Sequence, residues 1–281
     1  MLSFKKGRPV SKIIGGEYNG EILYVDTENE NSGPCCKKCS KKCVKKQCCG
    51  GCNMCYENDS DSEEDIGNEI EINDGKLEPL IDVNQRSVNY IAGPSGSGKS
   101  TYASNIIKNY KKIFPEKELF IFSRTDSQND PALVNLGGYQ ISIDQSLLTD
   151  PIDITKELSG GSILLFDDCN TVQDDKLKKA IDKLMADIME IGRKLDITII
   201  ITNHLVIPNE KKIARTIMNE MQCLTVFPKS GSSQQIRYAL KQYFGLNNKQ
   251  IDQILQIPSR WITIHKTYPQ TIIYENGAFI L

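Results

Sequence analysis

The chain has 281 residues, a net charge of −2 at pH 7 and an isoelectric point near 5.9. This length is enough for one large domain or one domain with appendages. The nearly balanced charge leaves the protein without a global basic field, so any contact with nucleic acid must be local. No apolar run approaches the ~20 residues of a membrane span, and residues 1–10 lack the apolar block of a signal peptide. We therefore expect a soluble, intracellular protein without a membrane span.

The N-terminal part predicts a small β unit with a long insertion. Apolar residues on both sides of the turn pair Asn19-Gly20 predict a β-hairpin within residues 1–30. Strand-like alternation resumes at Ile70, and we assign residues 66–85 to the remainder of the same unit. Residues 31–65 between them contain too few apolar side chains to fold by hydrophobic burial alone.

A strand, a glycine-rich loop and a helix start form the central motif of the chain. The loop from Gly93 to Ser100 fits the Walker A pattern of Gly, four residues, Gly, Lys and Ser or Thr. Glycines let successive backbone N–H groups face phosphate oxygens, and the helix adds its positive end. We expect Lys99 to neutralise the β- and γ-phosphates of ATP and the Ser100 hydroxyl to bind Mg²⁺. A plain strand-to-helix turn is the alternative, which a complete match in this context disfavours. The predicted nucleotide-binding residues are Gly93, Pro94, Ser95, Gly96, Ser97, Gly98, Lys99, Ser100 and Thr101.

Apolar runs alternate with helical patterns in residues 86–230. Residues 162–168 and 197–202 are apolar or β-branched along most of their length, as strands covered on both faces are. Between them, apolar residues from Leu177 to Ile191 recur at spacings of three and four and predict one long helix. This alternation predicts an α/β fold with a mostly parallel sheet covered by helices. Residues 231–281 predict a C-terminal extension of helices and a β-hairpin.

Two consecutive acids follow the apolar strand that ends near residue 167. Asp167 stands where P-loop proteins place the Walker B acid that holds Mg²⁺. Asp168 is the candidate base that orients and deprotonates the attacking water. A cap on the following helix is the alternative role for Asp168.

The next predicted strand ends in three polar residues, Thr202-Asn203-His204. Ligands of parallel sheets bind at the carboxyl ends of the strands, so a side chain here would sense the γ-phosphate. We assign this role to Asn203, with His204 second; a local loop hydrogen bond is the alternative. We expect His265, in a late strand, to be a surface or partly buried residue.

Arg193 closes the long predicted helix. It is the candidate arginine finger for the site of a neighbouring subunit. A cation that simply complements the helix dipole is the alternative. Arg124 and Arg215 are rival candidates for the finger.

Eight of the ten cysteines lie between Cys35 and Cys55. A nucleotide site implies reducing surroundings, so a metal is favoured over disulfides. Spacings of two intervening residues, which suit zinc thiolates, involve Cys36, Cys39, Cys49, Cys52 and Cys55. A low-complexity tail without metal is the alternative.

Four segments together resemble an uncharacterised P-loop ATPase family of nucleocytoplasmic large DNA viruses. They are GPSGSGKST at 93–101, ILLFDD at 163–168, GRKLDITIIITNHL at 192–205 and PSRWITIHKTYPQTIIYE at 258–275. More distantly, that family is similar to the poxvirus-type genome-packaging ATPases of the FtsK/HerA-like group. The resemblance implies a RecA-like core that works as a homo-oligomeric ring on double-stranded DNA, in the host cytoplasm or the virion. The FtsK/HerA-like group commonly carries Glu and Gln where this chain has Asp168 and Asn203 or His204.

The first hypothesis is therefore an ATPase, using ATP and Mg²⁺, that packages or remodels viral DNA. A P-loop kinase of small molecules or nucleotides is the second, although Arg193 is the only arginine between Asp168 and Thr202 to serve its lid. A nucleotide-switched binding protein with little turnover is the third, suggested by the short side chain of Asp168.

Overall fold

In a computed structural model, the protein is described at residues 1–26, 34–36, 39–42, 65–82, 85–124 and 130–281. Seventeen strands in these ranges form three sheets of five, ten and two strands. The strands are β1 Leu2–Ser3, β2 Arg8–Ile14, β3 Ile22–Val25, β4 Pro34–Cys36, β5 Cys39–Lys42, β6 Asp65–Gly67, β7 Glu69–Glu71, β8 Lys76–Pro79, β9 Val88–Ala92, β10 Leu119–Ser123, β11 Tyr139–Ser142, β12 Ile163–Asp167, β13 Thr198–Asn203, β14 Cys223–Val226, β15 Ile262–His265, β16 Thr271–Tyr274 and β17 Gly277–Ile280.

The ten-stranded sheet carries the glycine-rich loop and the acidic pair. Its strand order is β11-β10-β12-β13-β9-β14-β15-β16-β17-β7. The first six of these strands run parallel, and the last four continue the sheet in antiparallel pairs. Strand β13 lies between β9, which leads into the loop, and β12, which ends at Asp167. The carboxyl ends of all three strands therefore meet at one edge of the sheet.

Helices cover both faces of this sheet. They are α1 Lys99–Ile113, α2 Ser146–Thr149, α3 Ile154–Glu157, α4 Asp175–Ile191, α5 Lys211–Glu220, α6 Ser233–Phe244 and α7 Asn248–Gln256. Neighbouring residues of β9 point to opposite faces, as the period of a strand requires. Tyr90 packs in the core beneath α4 to α7, and Ile91 packs in the core beneath α1.

Helix α4 has a capped first turn and buries most of its predicted apolar stripe, although Ile191 at the end of the stripe is 40% exposed. The carboxylate of Asp174 accepts hydrogen bonds from the backbone N–H groups of Lys176 and Leu177 at 2.8 and 2.9 Å. Such a cap satisfies N–H groups that have no partner inside the helix. The apolar stripe that includes Ile181 and Ile188 is buried against the sheet.

The five-stranded sheet at the N-terminus has the order β6-β1-β3-β2-β8 and packs against the end of the central sheet. The predicted hairpin is confirmed, since β2 pairs antiparallel with β3. The segment after the insertion joins both sheets, because β8 pairs with β2 whereas β7 pairs with β17. The domain boundaries at residues 30, 65, 85 and 230 remain predictions.

The α/β fold with a mostly parallel sheet is confirmed. The predicted C-terminal hairpin is also present as β15 and β16. The sequence analysis missed β17, which is short and follows β16 after a tight turn. In the ranges that the structure describes, no helix is both long and apolar enough to span a membrane.

Candidate nucleotide site

The glycine-rich loop connects β9 to α1 at the carboxyl edge of the sheet. Gly98 precedes α1 with φ of 106°, a backbone angle that side chains with a Cβ rarely adopt. A Cβ on Gly93 would lie 2.7 Å from Oγ of Ser97 and 2.8 Å from Cδ2 of Phe227. The close approach of these groups requires glycine at position 93. Two glycines of the loop are therefore required by the structure, one by its backbone angle and the other by close packing.

Lys99 is buried at the first turn of α1, with 5% of its side chain exposed. Its Nζ lies 3.3 Å from the carbonyl oxygen of Pro94 and 3.7 Å from Oδ1 of Asp168. It also lies 3.5 Å from Nδ1 of His204. The ammonium group thus stands between the loop and two side chains that come from the neighbouring strands.

The imidazole ring of His204 contacts both Lys99 and Asp168. Its Nε2 lies 3.3 Å from Oδ2 of Asp168. With the proton on Nε2, the ring donates to Asp168 and accepts from Lys99 through Nδ1. His204, the second choice for the sensor in the sequence analysis, is the residue that contacts both Lys99 and Asp168.

Asp168 has a left-handed backbone, with φ of 45° and ψ of 35°. Its carboxylate does not cap the short 3-10 turn at Cys169–Thr171 that follows it, and Asp174 caps α4 instead. Its backbone N–H donates to Oγ1 of Thr202 at 2.9 Å. This conformation leaves the carboxylate directed to Lys99 and His204.

Thr202 links the acids to the adjacent strand. Its hydroxyl donates to Oδ1 of Asp167 at 2.8 Å, while its oxygen accepts from the N–H of Asp168. Burial raises the pKa of Asp167 to about 6; the nearby Asp168 also raises it, and the Thr202 hydrogen bond opposes the shift. The sequence analysis gave Thr202 no role, although its position at the end of a buried strand was a usable signal.

Asn203, the first choice for the sensor, makes a local contact. Its Oδ1 accepts a hydrogen bond from the backbone N–H of Leu205 at 2.9 Å. Its side chain is buried, and its carbonyl oxygen accepts from the N–H of Gly93 at 3.0 Å. This is the geometry of the local alternative considered for this residue, and it holds the loop after β13 beside the Walker A loop.

The three candidate arginines lie in different parts of the fold. Arg193 is exposed in the connection from α4 to β13, at the edge where the parallel strands begin. The structure therefore does not bring it to the phosphate loop of its own chain. Arg124 follows β10 and donates to the carbonyl oxygen of Thr171 at 2.7 Å. Arg215 is exposed on α5.

The expectation of a surface or partly buried His265 was wrong. Only 6% of the residue is exposed, and its Nδ1 lies 3.3 Å from Sγ of buried Cys223 on β14. Burial, together with the charge of Arg8, lowers the pKa of His265 to about 3. The N-terminal sheet, which carries Arg8, covers β15. The alternation of residues within β15 could not indicate that a second sheet packs on it.

The candidate metal ligands at this site, Ser100 and Asp167, offer oxygen atoms, which Mg²⁺ prefers. Ser100 lies in the first turn of α1, and Asp167 lies at the end of β12 with a raised pKa that a cation would lower. Mg²⁺ in nucleotide sites uses one or two carboxylates with phosphate oxygens and water, so these residues fit the ion. Among the described residues, no group of three or more His, Cys, Asp or Glu side chains could hold a metal by itself.

The proposed zinc ligands cannot be placed in the same way. Cys49, Cys52 and Cys55 lie outside the described residues. Cys36 and Cys39 are described only as backbone, where they are paired across the β4–β5 hairpin. The zinc site stays a prediction.

The order of the parallel strands, the glycine-rich loop before α1 and the acids Asp167 and Asp168 at the end of β12 define the α/β fold of P-loop proteins. No model of a known protein family matches the sequence. "Uncharacterized protein V3" of Sputnik virophage is 40% identical over 282 residues, which cover 99% of each chain. The chain belongs to the family of this virophage protein, and the resemblance to a viral P-loop family is confirmed.

Several solved structures have a related arrangement at low sequence identity. B204, the DNA-packaging ATPase from Sulfolobus turreted icosahedral virus, is 12% identical, with a TM-score of 0.48 over 68% of this chain and 98% of that chain. B204 of Sulfolobus turreted icosahedral virus 2 in complex with AMPPCP is 10% identical, with a TM-score of 0.46 over 67% and 97%. The cytoplasmic domain of the type VII secretion ATPase EccC of Thermomonospora curvata is 12% identical, with a TM-score of 0.47 over 74% and 28%.

Proposed function

We propose that this protein is a Mg²⁺-dependent ATPase. The observation that carries the proposal is the convergence of Lys99, Asp168 and His204 from a helix and two strands at one sheet edge. A phosphate loop alone would serve binding only. A carboxylate held beside the loop also supplies a group that can take a proton from water.

Each of these residues has its own role in the proposed hydrolysis. The loop N–H groups and Lys99 bind the β- and γ-phosphates, and Lys99 balances the charge that develops as the terminal phosphoryl group departs. Water forms a bond to the γ-phosphorus while the bond to the β–γ bridging oxygen breaks. Asp168 takes the proton of that water, and ADP leaves with the bridging oxygen. His204 is a positioning residue that orients the Asp168 carboxylate.

Mg²⁺, when bound, would neutralise phosphate charge. Ser100 and Asp167 would hold it together with the nucleotide. Thr202 orients the Asp167 carboxylate through its hydrogen bond.

We further propose that hydrolysis moves or remodels double-stranded DNA in a homo-oligomer, with viral genome packaging as the process it serves. The support is the resemblance of the four sequence segments to a viral P-loop ATPase family that is distantly similar to genome-packaging ATPases, together with membership of a virophage protein family. With a net charge of −2, the contact with DNA must be a local surface and not the whole protein.

The test is ATP hydrolysis by the purified full chain, with and without duplex DNA, with light scattering of the same samples. We expect Mg²⁺-dependent turnover that rises with DNA in a ring-sized oligomer and is lost in Lys99→Ala. Turnover without any DNA effect would contradict the motor and leave the ATPase. Phosphate transfer to a nucleotide would favour a kinase, and tight ATP binding with negligible turnover would favour a switch.

A further inference from the structure

A cleft of about 270 Å³ adjoins the phosphate loop, and Asp168 is not among the residues that line it. Ser97, Gly98 and Thr101 form the wall that it shares with the loop. Its volume is close to the lower end of the ~300–1,000 Å³ range of small-molecule sites. The cleft is therefore large enough for a compact organic group attached to a phosphate chain in the loop.

Three parts of the fold line the remainder of the cleft. Asn105 follows Thr101 by one helical turn, so the two side chains share a face of α1. Strand β8 of the N-terminal sheet forms the opposite wall. The third wall is the Arg260-Trp261 pair, which leads into β15.

The position of Arg260 is fixed by hydrogen bonds around its backbone. Its N–H donates to Oε2 of Glu275 at 3.0 Å. The Ser259 hydroxyl donates to the carbonyl oxygen of Trp261 at 2.7 Å and accepts from the N–H of Glu275 at 3.1 Å. An ideal Cβ on Gly98 would lie 3.4 Å from Nη2 of Arg260, so the guanidinium group reaches the end of the phosphate loop.

The ring of Trp261 forms an aromatic part of the same wall. Its centroid lies 5.0 Å from the centroid of the Tyr102 ring, at an interplanar angle of 64°. The hydroxyl of Ser97, a residue only 7% exposed, has no hydrogen-bond partner among the described residues. A buried polar group without a partner is costly unless a ligand or water satisfies it. The cleft thus combines aromatic and aliphatic side chains with polar and charged ones, among them Glu78 and Glu275.

We propose that this cleft binds the nucleoside part of a nucleoside triphosphate whose phosphates occupy the Walker A loop. The base packs between the Arg260-Trp261 wall and the face of α1 that carries Asn105. Guanidinium groups stack on aromatic planes, and an amide offers both a donor and an acceptor to the edge of a base. The inference rests on the proposed nucleotide site, and it assigns a binding role to the segment at 258–275, which sequence analysis left without one.

The experiment compares Mg²⁺-ATP with Mg²⁺-tripolyphosphate, which has the phosphates but no nucleoside. Affinities are measured by calorimetry on the full chain. Trp261 is the only tryptophan of the protein, so its fluorescence reports directly on the cleft. The variants are Arg260→Gln and Asn105→Ala, with Arg237→Gln as the control. Arg237 is on α6 and pairs with Asp252 of α7 away from the cleft.

We expect ATP to bind at least about 10-fold more tightly than tripolyphosphate, since aromatic and base stacking is worth this much. ATP alone should change the Trp261 emission. Arg260→Gln and Asn105→Ala should each reduce the preference for ATP, while Arg237→Gln should keep it. Both altered side chains lie on the surface or partly so, and far-UV circular dichroism verifies that the variants fold.

Equal affinities for the two ligands would overturn this inference and leave the proposed function standing, provided that both bind through Lys99. The inference would also be overturned if both variants kept the preference for ATP, or if the Trp261 emission did not change. Either result would place the base elsewhere. If neither ligand binds the natural protein and Lys99→Ala behaves identically, the proposed function fails as well.

Discussion

Nζ of Lys99 lies 3.7 Å from Oδ1 of Asp168, although the two residues are far apart along the chain. The Walker A helix supplies the lysine, and the segment after β12 supplies the acid. Coulomb attraction between two such charges is stronger at a half-buried position than in bulk water. The pair therefore holds the Asp168 carboxylate beside the lysine of the glycine-rich loop, where the proposed mechanism needs its base.

Replacing Asp168 with asparagine should remove turnover but keep ATP binding. The amide side chain has nearly the same shape as the carboxylate, but it does not accept a proton from water. We expect the hydrolysis rate to fall by roughly 10²–10⁴-fold, the usual contribution of a general base. Steady-state hydrolysis and calorimetric ATP affinity measure the two effects separately. The matched control is Asp252→Asn, at an exposed carboxylate on α7 that should leave the rate unchanged. Full activity in Asp168→Asn would assign the base elsewhere.

Variants of His204 and Asn203 should have different effects. His204→Ala removes the contact with Asp168, so we expect kcat to fall by roughly 10-fold or more with KM for ATP nearly unchanged. Asn203→Ala removes the hydrogen bond to the N–H of Leu205. Asn203→Ala should lower the free energy of unfolding by about 1–3 kcal/mol and should reduce kcat less than His204→Ala does. Kinetics and urea unfolding of both variants provide the comparison. Lost turnover in Asn203→Ala with an active His204→Ala would return the sensor role to Asn203.

Mixed oligomers test Arg193 as a finger that acts on a neighbouring subunit. Arg193 lies at the opposite sheet edge from its own phosphate loop, so it must act in the site of another copy if it acts at all. Arg193→Ala and Lys99→Ala should each be inactive alone. Equal mixing should restore activity at roughly a quarter of the interfaces, because only there do an intact lysine and an intact arginine meet. Normal activity of Arg193→Ala alone, or no recovery on mixing, would remove the finger from this position.

The buried His265 should make the protein sensitive to acid. Its pKa is about 3 in the folded protein, against 6.5 for the ordinary side chain. Between these values the unfolded chain binds a proton that the folded chain excludes, so this contribution to stability is complete above pH 6.5 and is lost as pH falls towards 3. His265→Gln should lessen the loss of unfolding free energy between pH 7 and pH 4 by on the order of 3 kcal/mol.

The measurement is urea unfolding of both proteins across that pH range. Placing Gln beside Cys223 changes the free energy of unfolding by the same amount at every pH. The informative quantity is therefore how the difference in unfolding free energy between the two proteins changes with pH. Parallel curves for the natural protein and His265→Gln would contradict the prediction.

The Walker A loop, the buried strands β12 and β13 and helix α4 were predictable, because each depends on local signals. Glycine spacing, runs of apolar residues and helical periodicity all act within a few positions. The sequence did not indicate which residue would contact Asp168. Asn203 and His204 follow the same strand, and side-chain direction decides that the first contacts Leu205 while the second contacts Lys99 and Asp168.

The sequence alone determined the α/β fold, the glycine-rich loop after β9 and the two acids at the end of β12, since backbone preferences and burial patterns are local. Only the tertiary structure decided which distant groups meet. Thr202 joins the two acids, β7 pairs with β17, the N-terminal sheet buries His265, and the Arg260-Trp261 pair reaches the phosphate loop. These contacts depend on strand order and on the packing of segments far apart in the chain, which no local pattern encodes.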